Sequence, residues 1–143
     1  MTKLFRDKNI QKTYWIIVEK QIMNQPKHLI HFLKKNKKTN KSFAKNHEEK
    51  GYLKSELSYN LIKKIQSNYL YEIQLMTGRH HQIRTQFSFI GINIKGDIKY
   101  GAKKPNNDKS ICLHARRIEF IHPIKKSKLT ITAPVPNTIN WKI

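Results

Sequence analysis

The sequence predicts an α+β fold, a mainly antiparallel mixed sheet with few helices. Three observations carry that expectation. Apolar and polar residues alternate along 56–65, 70–76 and 111–120, as half-buried strands require. Only after Thr77 do apolar residues recur at helical spacing, with Ile83, Phe87 and Ile90 at i, i+4 and i+7. The 143 residues show no internal repeat and suit a single domain, 1–143, built on one core.

Residues 1–9 are polar, with Leu4 and Phe5 as the only apolar anchors. The run 12–18 is apolar enough to be buried on both faces, which predicts a central strand. Residues 28–33 form a short apolar element. The following lysines and asparagines are too charged to pack and lack interleaved aromatics, so 34–50 is expected to be a basic flexible loop. Leu57, Tyr59, Leu61, Lys63 and Ile65 share one face; Tyr71, Ile73 and Leu75 share another. With a turn at Ser67-Asn68, they predict a β-hairpin over 55–76. Thr77 is placed to cap the helix and Gly91 to stop it. Gly96, Asp97 and Gly101 punctuate a structured turn, followed by a polar loop over 103–110. Ile111, Leu113 and Ala115 alternate, then Ile118 and Phe120 continue with opposite parity. That switch predicts a bulge at Arg116-Arg117. A last strand over 128–133 should turn Leu129 and Ile131 inward, with Pro134 and Pro136 ending it.

Lys and Arg number 29 against 9 Asp and Glu, a formal net charge of +20. Such a charge speaks to partners, and RNA, DNA or an anionic membrane are the classes it admits. No apolar run approaches the roughly 18 residues of a membrane span, and no signal-peptide pattern opens the chain. The expectation is therefore a cytoplasmic protein without a membrane partner, for which RNA is favoured over a merely solubilising charge. The lone Cys112 excludes an internal disulfide and argues against a cysteine-built metal site. The helix end carries Arg79, His80 and His81, with Arg84 one turn in. It suits phosphate or carboxylate, and equally a surface helix with solvated cations.

The segments together resemble the RluA-type RNA pseudouridine synthases. That family's hallmark, TGR-x-HQ-I/L-R, is matched by Thr77-Gly78-Arg79-His80-His81-Gln82-Ile83-Arg84. Its G-x-P-I/L-x-GD-x-x-YG segment is matched over 91–101, with Asn93 where proline is usual. Its L-x-LHA and F-x-HP segments resemble 111–115 and 120–123, and its K-x-Y-x-x-x-V strand resembles 12–18. The resemblance implies a cofactor-free isomerase, with no metal, that flips a uridine out of structured RNA (rRNA or tRNA) and rejoins the base through C5. An aspartate acts on the sugar, at C1′ or at the 2′ proton, and an arginine pairs with it. By motif position that arginine is Arg84. Tyr14 would pack on the base, and Leu113 would floor the pocket. Arg79, His80, His81 and Gln82 would contact the substrate. Asp97 reads as a turn stabiliser, and His114 and His122 as hydrogen-bonded structural residues.

The family's H-R-L/I-D segment, which carries the aspartate, does not occur in these 143 residues. Arg84 is accordingly expected to lack a partner, and strands flanking 12–18 to be missing from a truncated catalytic domain. Three accounts follow: a synthase part completed by a separate N-terminal fragment, a non-catalytic RNA-binding module, or a remnant of a truncated synthase gene.

Overall fold

The structure is a computed structural model and describes residues 10–142. Leu4, Phe5 and Asp7 lie outside the described residues. Seven strands, β1 (Ile10–Val18), β2 (His28–Asn36), β3 (Lys41–Lys45), β4 (Leu53–Ile65), β5 (Asn68–Leu75), β6 (Leu113–Ile121) and β7 (Lys128–Thr132), form one sheet. Their order is β3-β2-β4-β5-β1-β6-β7, and each neighbouring pair is antiparallel. Among the described residues one α-helix, α1 (Gln82–Phe89), follows β5 and packs against β2 and β3.

The apolar run of β1 is explained by its place in the sheet. It pairs with β5 on one side and β6 on the other, and Ile16, Ile17 and Val18 are buried. The expectation that its flanking strands are missing is therefore wrong. Both neighbours come from later in the same chain, because the β4–β5 hairpin and β6 each fold back onto it. Between β1 and β6 the register shifts: Thr13 faces Arg117, Tyr14 faces Ala115, and Arg116 is the extra residue. This is the bulge foreseen from the parity switch, and it sets the direction of the side chains next to Tyr14.

Residues 34–50, expected as a loop, instead contain the end of β2 and all of β3. A strand needs only its backbone paired and one face covered, so charge on the other face does not prevent it. Leu29, His31, Leu33 and Ser42 turn inward. The outward lysines lie against rings, Lys34 and Lys45 over Tyr52 and Lys41 over Phe43. The β4–β5 turn falls at Gln66-Ser67, one residue earlier than expected, with Gln66 in the left-handed region.

α1 starts later than the sequence suggests. The Thr77 hydroxyl does not cap it; it accepts from the Glu56 N–H at 2.9 Å and donates to Gln82 Oε1 at 2.8 Å. His81 stands at the N-cap position with positive φ. The end matches expectation. Gly91 has φ +84°, its N–H bonds the Ser88 carbonyl, and the Ile92 N–H bonds the Phe87 carbonyl at 2.8 Å, which together make a Schellman motif. Ile83 and Phe87 enter the core, where Phe87 meets Tyr59 edge-on and Tyr59 meets Tyr71. Trp141, on a single 3-10 turn, joins the same cluster.

The expectation for β7 fails. All five of its residues are exposed, with Ile131 58 % accessible. β7 ends the sheet, while the helix packs at the opposite end, so among the described residues alternation there meets no covering layer.

Candidate active site

Arg84 projects from the first turn of α1 toward the turn that carries Asp97. Its Nε donates to Asp97 Oδ2 at 2.9 Å and its Nη2 to Oδ1 at 2.8 Å. This is the bidentate arginine–carboxylate fork, stronger and more directional than a neutral hydrogen bond. Asp97 is 1 % exposed and the Arg84 side chain 17 %. An Arg84 without a partner is thus not what the fold contains. Asp97 does shape its turn, its carbonyl accepting from the Tyr100 and Ala102 N–H groups. Its carboxylate, however, leaves the turn for the helix.

Tyr100, on the 3-10 turn Ile98–Tyr100, lays its ring under the Arg84 guanidinium at 4.8 Å. Arg84 Nη1 lies 3.2 Å from His81 Nε2. A guanidinium can only donate, so Nε2 is the acceptor and the His81 proton sits on Nδ1. From there it is donated to the Tyr100 hydroxyl at 2.8 Å. The same hydroxyl oxygen accepts the Ser42 N–H at 2.9 Å, which ties β3 into the network. Burial, then the adjacent Arg84 cation, hold the His81 pKa down to about 4. His80 stacks on His81 at 3.7 Å, and burial followed by Lys35, Lys99 and Arg84 lowers its pKa too. The helix start is therefore not a cluster of three cations at neutral pH, since both imidazoles are uncharged.

An open cavity of about 250 Å3 adjoins this network, lined by Tyr14, Leu75, Arg79, His81, Gln82, Ile83, Arg84, Ile111 and Leu113. Tyr14 is half-buried on β1 beside the bulge, and burial raises its phenol pKa, so it is neutral at physiological pH. Leu113, at the start of β6, is half-buried against the cavity and not sealed in the core. Residues from three distant parts of the sequence thus meet at one place. Of the expected contact residues His80 does not line it, and Arg79 does so while held to the backbone. His80 bonds Ser42 through Nδ1, and Arg79 donates through Nε and Nη2 to the Lys54 carbonyl. Gln82 backs the cavity, but it is buried and its amide serves Thr77, Arg79, Glu56 and Gln86. Gln86 continues inward to His31 at 2.9 Å. This buried polar thread, and the Asp97–Arg84–His81–Tyr100–Ser42 chain, were missed in the sequence. The motif GD-x-x-YG was a signal, because its aspartate and tyrosine both converge on Arg84.

His114 lies near the Ala133 carbonyl and edge-on to Trp141, while His122 Nδ1 accepts from the Ile124 and Lys125 N–H groups. Among the described residues, no group of three His, Cys, Asp or Glu could hold a metal ion, and no helix is long and apolar enough to cross a membrane.

Residues 1–89 match the family model described as RNA pseudouridylate synthase. The chain is 35 % identical over 144 residues to the ribosomal large subunit pseudouridine synthase C of Buchnera aphidicola subsp. Baizongia pistaciae, covering 91 % of this chain and 43 % of that protein. It is 31 % identical over 143 residues to the enzyme of the same name from Vibrio cholerae, covering 92 % and 42 %. The chain thus spans less than half the length of these relatives. In fold it is similar to human RNA pseudouridylate synthase domain containing 4, with a TM-score of 0.74 at 21 % identity, covering 94 % of this chain and 61 % of that one. With its family model matched and its sheet shared, the chain belongs to the RNA pseudouridylate synthase family.

Proposed function

We propose that this chain provides the uridine pocket of an RNA pseudouridine synthase, with Arg84, Tyr14 and Leu113 as its working residues. The observation that supports this reading is their meeting in one cavity despite their separation in sequence. Chemically the parts suit the task. A uracil flipped from the stack needs an apolar floor and an aromatic wall, which Leu113 and Tyr14 supply. A neutral phenol beside the base can take part in proton transfer at C5. The reacting aspartate must be ionised, and the guanidinium of Arg84 favours that form.

None of the aspartates offers itself for that role from the motif. Asp97 is locked to Arg84, Asp108 is bound to Ser110 at the surface, and Asp7 lies outside the described residues. The carboxylate is therefore assigned to a further polypeptide segment bearing H-R-L/I-D, in the manner of a separate N-terminal fragment. The substrate is structured RNA, with ribosomal RNA first in line given the relatives' names, and the setting is the cytoplasm. The net charge of +20 and the lysines beside Phe43 and Tyr52 suit phosphate contacts with bases nearby.

The test is tritium release from RNA carrying 5-tritiated uridine. The chain mixed with the H-R-L/I-D fragment is expected to release tritium, and Arg84→Ala to abolish release. Unchanged release by Arg84→Ala removes Arg84 from the chemistry. The binding-only alternative predicts salt-sensitive RNA binding with no release under any complementation.

A further inference from the structure

We infer that Asp97 and His81 are positioning residues that aim Arg84, and that they leave it able to receive a second carboxylate in the Tyr14–Leu113 cavity. This rests on the reading above but makes a claim of its own about the resting chain. A guanidinium has five N–H donors in a fixed plane. Asp97 takes one from Nε and one from Nη2, and His81 takes one from Nη1. One N–H then remains on each terminal nitrogen, the number a bidentate carboxylate uses. The flexible arginine stem is thus fixed on one edge by a buried anion and below by the Tyr100 ring. His81 can accept from Nη1 only while neutral, which agrees with its lowered pKa. Its own orientation is fixed by Tyr100, and Tyr100 by the Ser42 N–H of β3. Arg84 is therefore preorganised before any incoming acid arrives, and its charge is already balanced by Asp97. A carboxylate entering the cavity meets a directed donor pair, not a free cation.

The first measurement needs no activity. Hydrogen exchange at the Arg84 Nε–H is followed by nitrogen-15 NMR on the whole chain, with the signal identified by its loss in Arg84→Lys. Asp97→Asn is expected to speed that exchange by about tenfold or more, the effect of losing a charge-assisted bond, with the backbone spectrum otherwise retained. Exchange within about twofold of wild type in a folded Asp97→Asn overturns the inference. Should that variant not fold, Asp97→Glu and His81→Ala serve instead; each should raise exchange at Arg84, and wild-type exchange in both overturns it. In the complemented enzyme, Asp97→Asn should lower kcat about tenfold with KM for RNA within about twofold. The acid limb of its pH–rate profile should move to lower pH, because the positive charge of Arg84 then acts unopposed on the incoming acid. A merely structural Asp97 would lower the amplitude without moving that limb. If the wild-type assembly releases no tritium, the proposed function fails, while the exchange result still decides the role of Asp97 and His81.

Discussion

Around α1 the buried polar side chains Gln82, Gln86, His31 and Asp97 each bond a neighbour, whereas along β7 five consecutive residues lie exposed. Both regions contain apolar residues in good periodic order. Around α1 the periodicity is used, because the helix closes over β2 and β3 and its apolar face meets the core. On β7 it is not, because the strand ends the sheet and, among the described residues, is a neighbour of β6 alone. The difference teaches that alternation prepares a face for burial, while burial itself depends on whether another layer reaches that face.

Four substitutions or conditions test this contrast. Phe87→Ala removes a fully buried ring between α1 and the sheet, and should cost about 3–5 kcal/mol in urea unfolding. A loss under about 1 kcal/mol would mean that the helix is not the closing layer.

Acid should act on the α1 side next. His31, His80 and His81 all have lowered pKa values, from burial first in each case. In the folded chain they resist protonation, so the unfolded chain binds more protons below its ordinary imidazole pKa. Their contribution is complete above about 6.5 and declines as pH falls toward about 4, the value His81 reaches. The urea midpoint should fall between pH 7 and pH 5, and less steeply in His81→Gln. An identical slope in that variant would show that His81 does not carry the effect.

Gly91→Ala forces a side chain into the left-handed region at the helix stop. No atom lies within 4 Å of the added Cβ, so only backbone strain opposes it. The expected loss is about 1–2 kcal/mol. Ile131→Thr should change stability by no more than about 0.5 kcal/mol, as at other exposed positions, and calorimetry would read it. A loss above 2 kcal/mol would mean that another layer covers β7 in solution.

Much of this fold could be read locally. The strand character of β1, β4, β5 and β6, the Gly91 stop and the bulge beside Tyr14 all follow from spacing and turn chemistry between near neighbours. The lysine-rich β2–β3 segment misled because charge argues about solvent exposure, not about backbone pairing. At the site, the motifs singled out Arg84, Tyr14 and Leu113, which line one cavity, but the local readings of Thr77 and Asp97 were incomplete.

The sequence by itself determined the types of most elements, β3 excepted, with much of their punctuation, the basic charge and the motifs of the family. Only the tertiary structure decided which strands flank β1, that Asp97 holds Arg84, that the pKa values of His80 and His81 are lowered, and that no other described element covers β7. The reason is physical: periodicity and capping are properties of residues a few positions apart. A pKa, an ion pair or a covering layer depends on groups that the chain brings together from a distance.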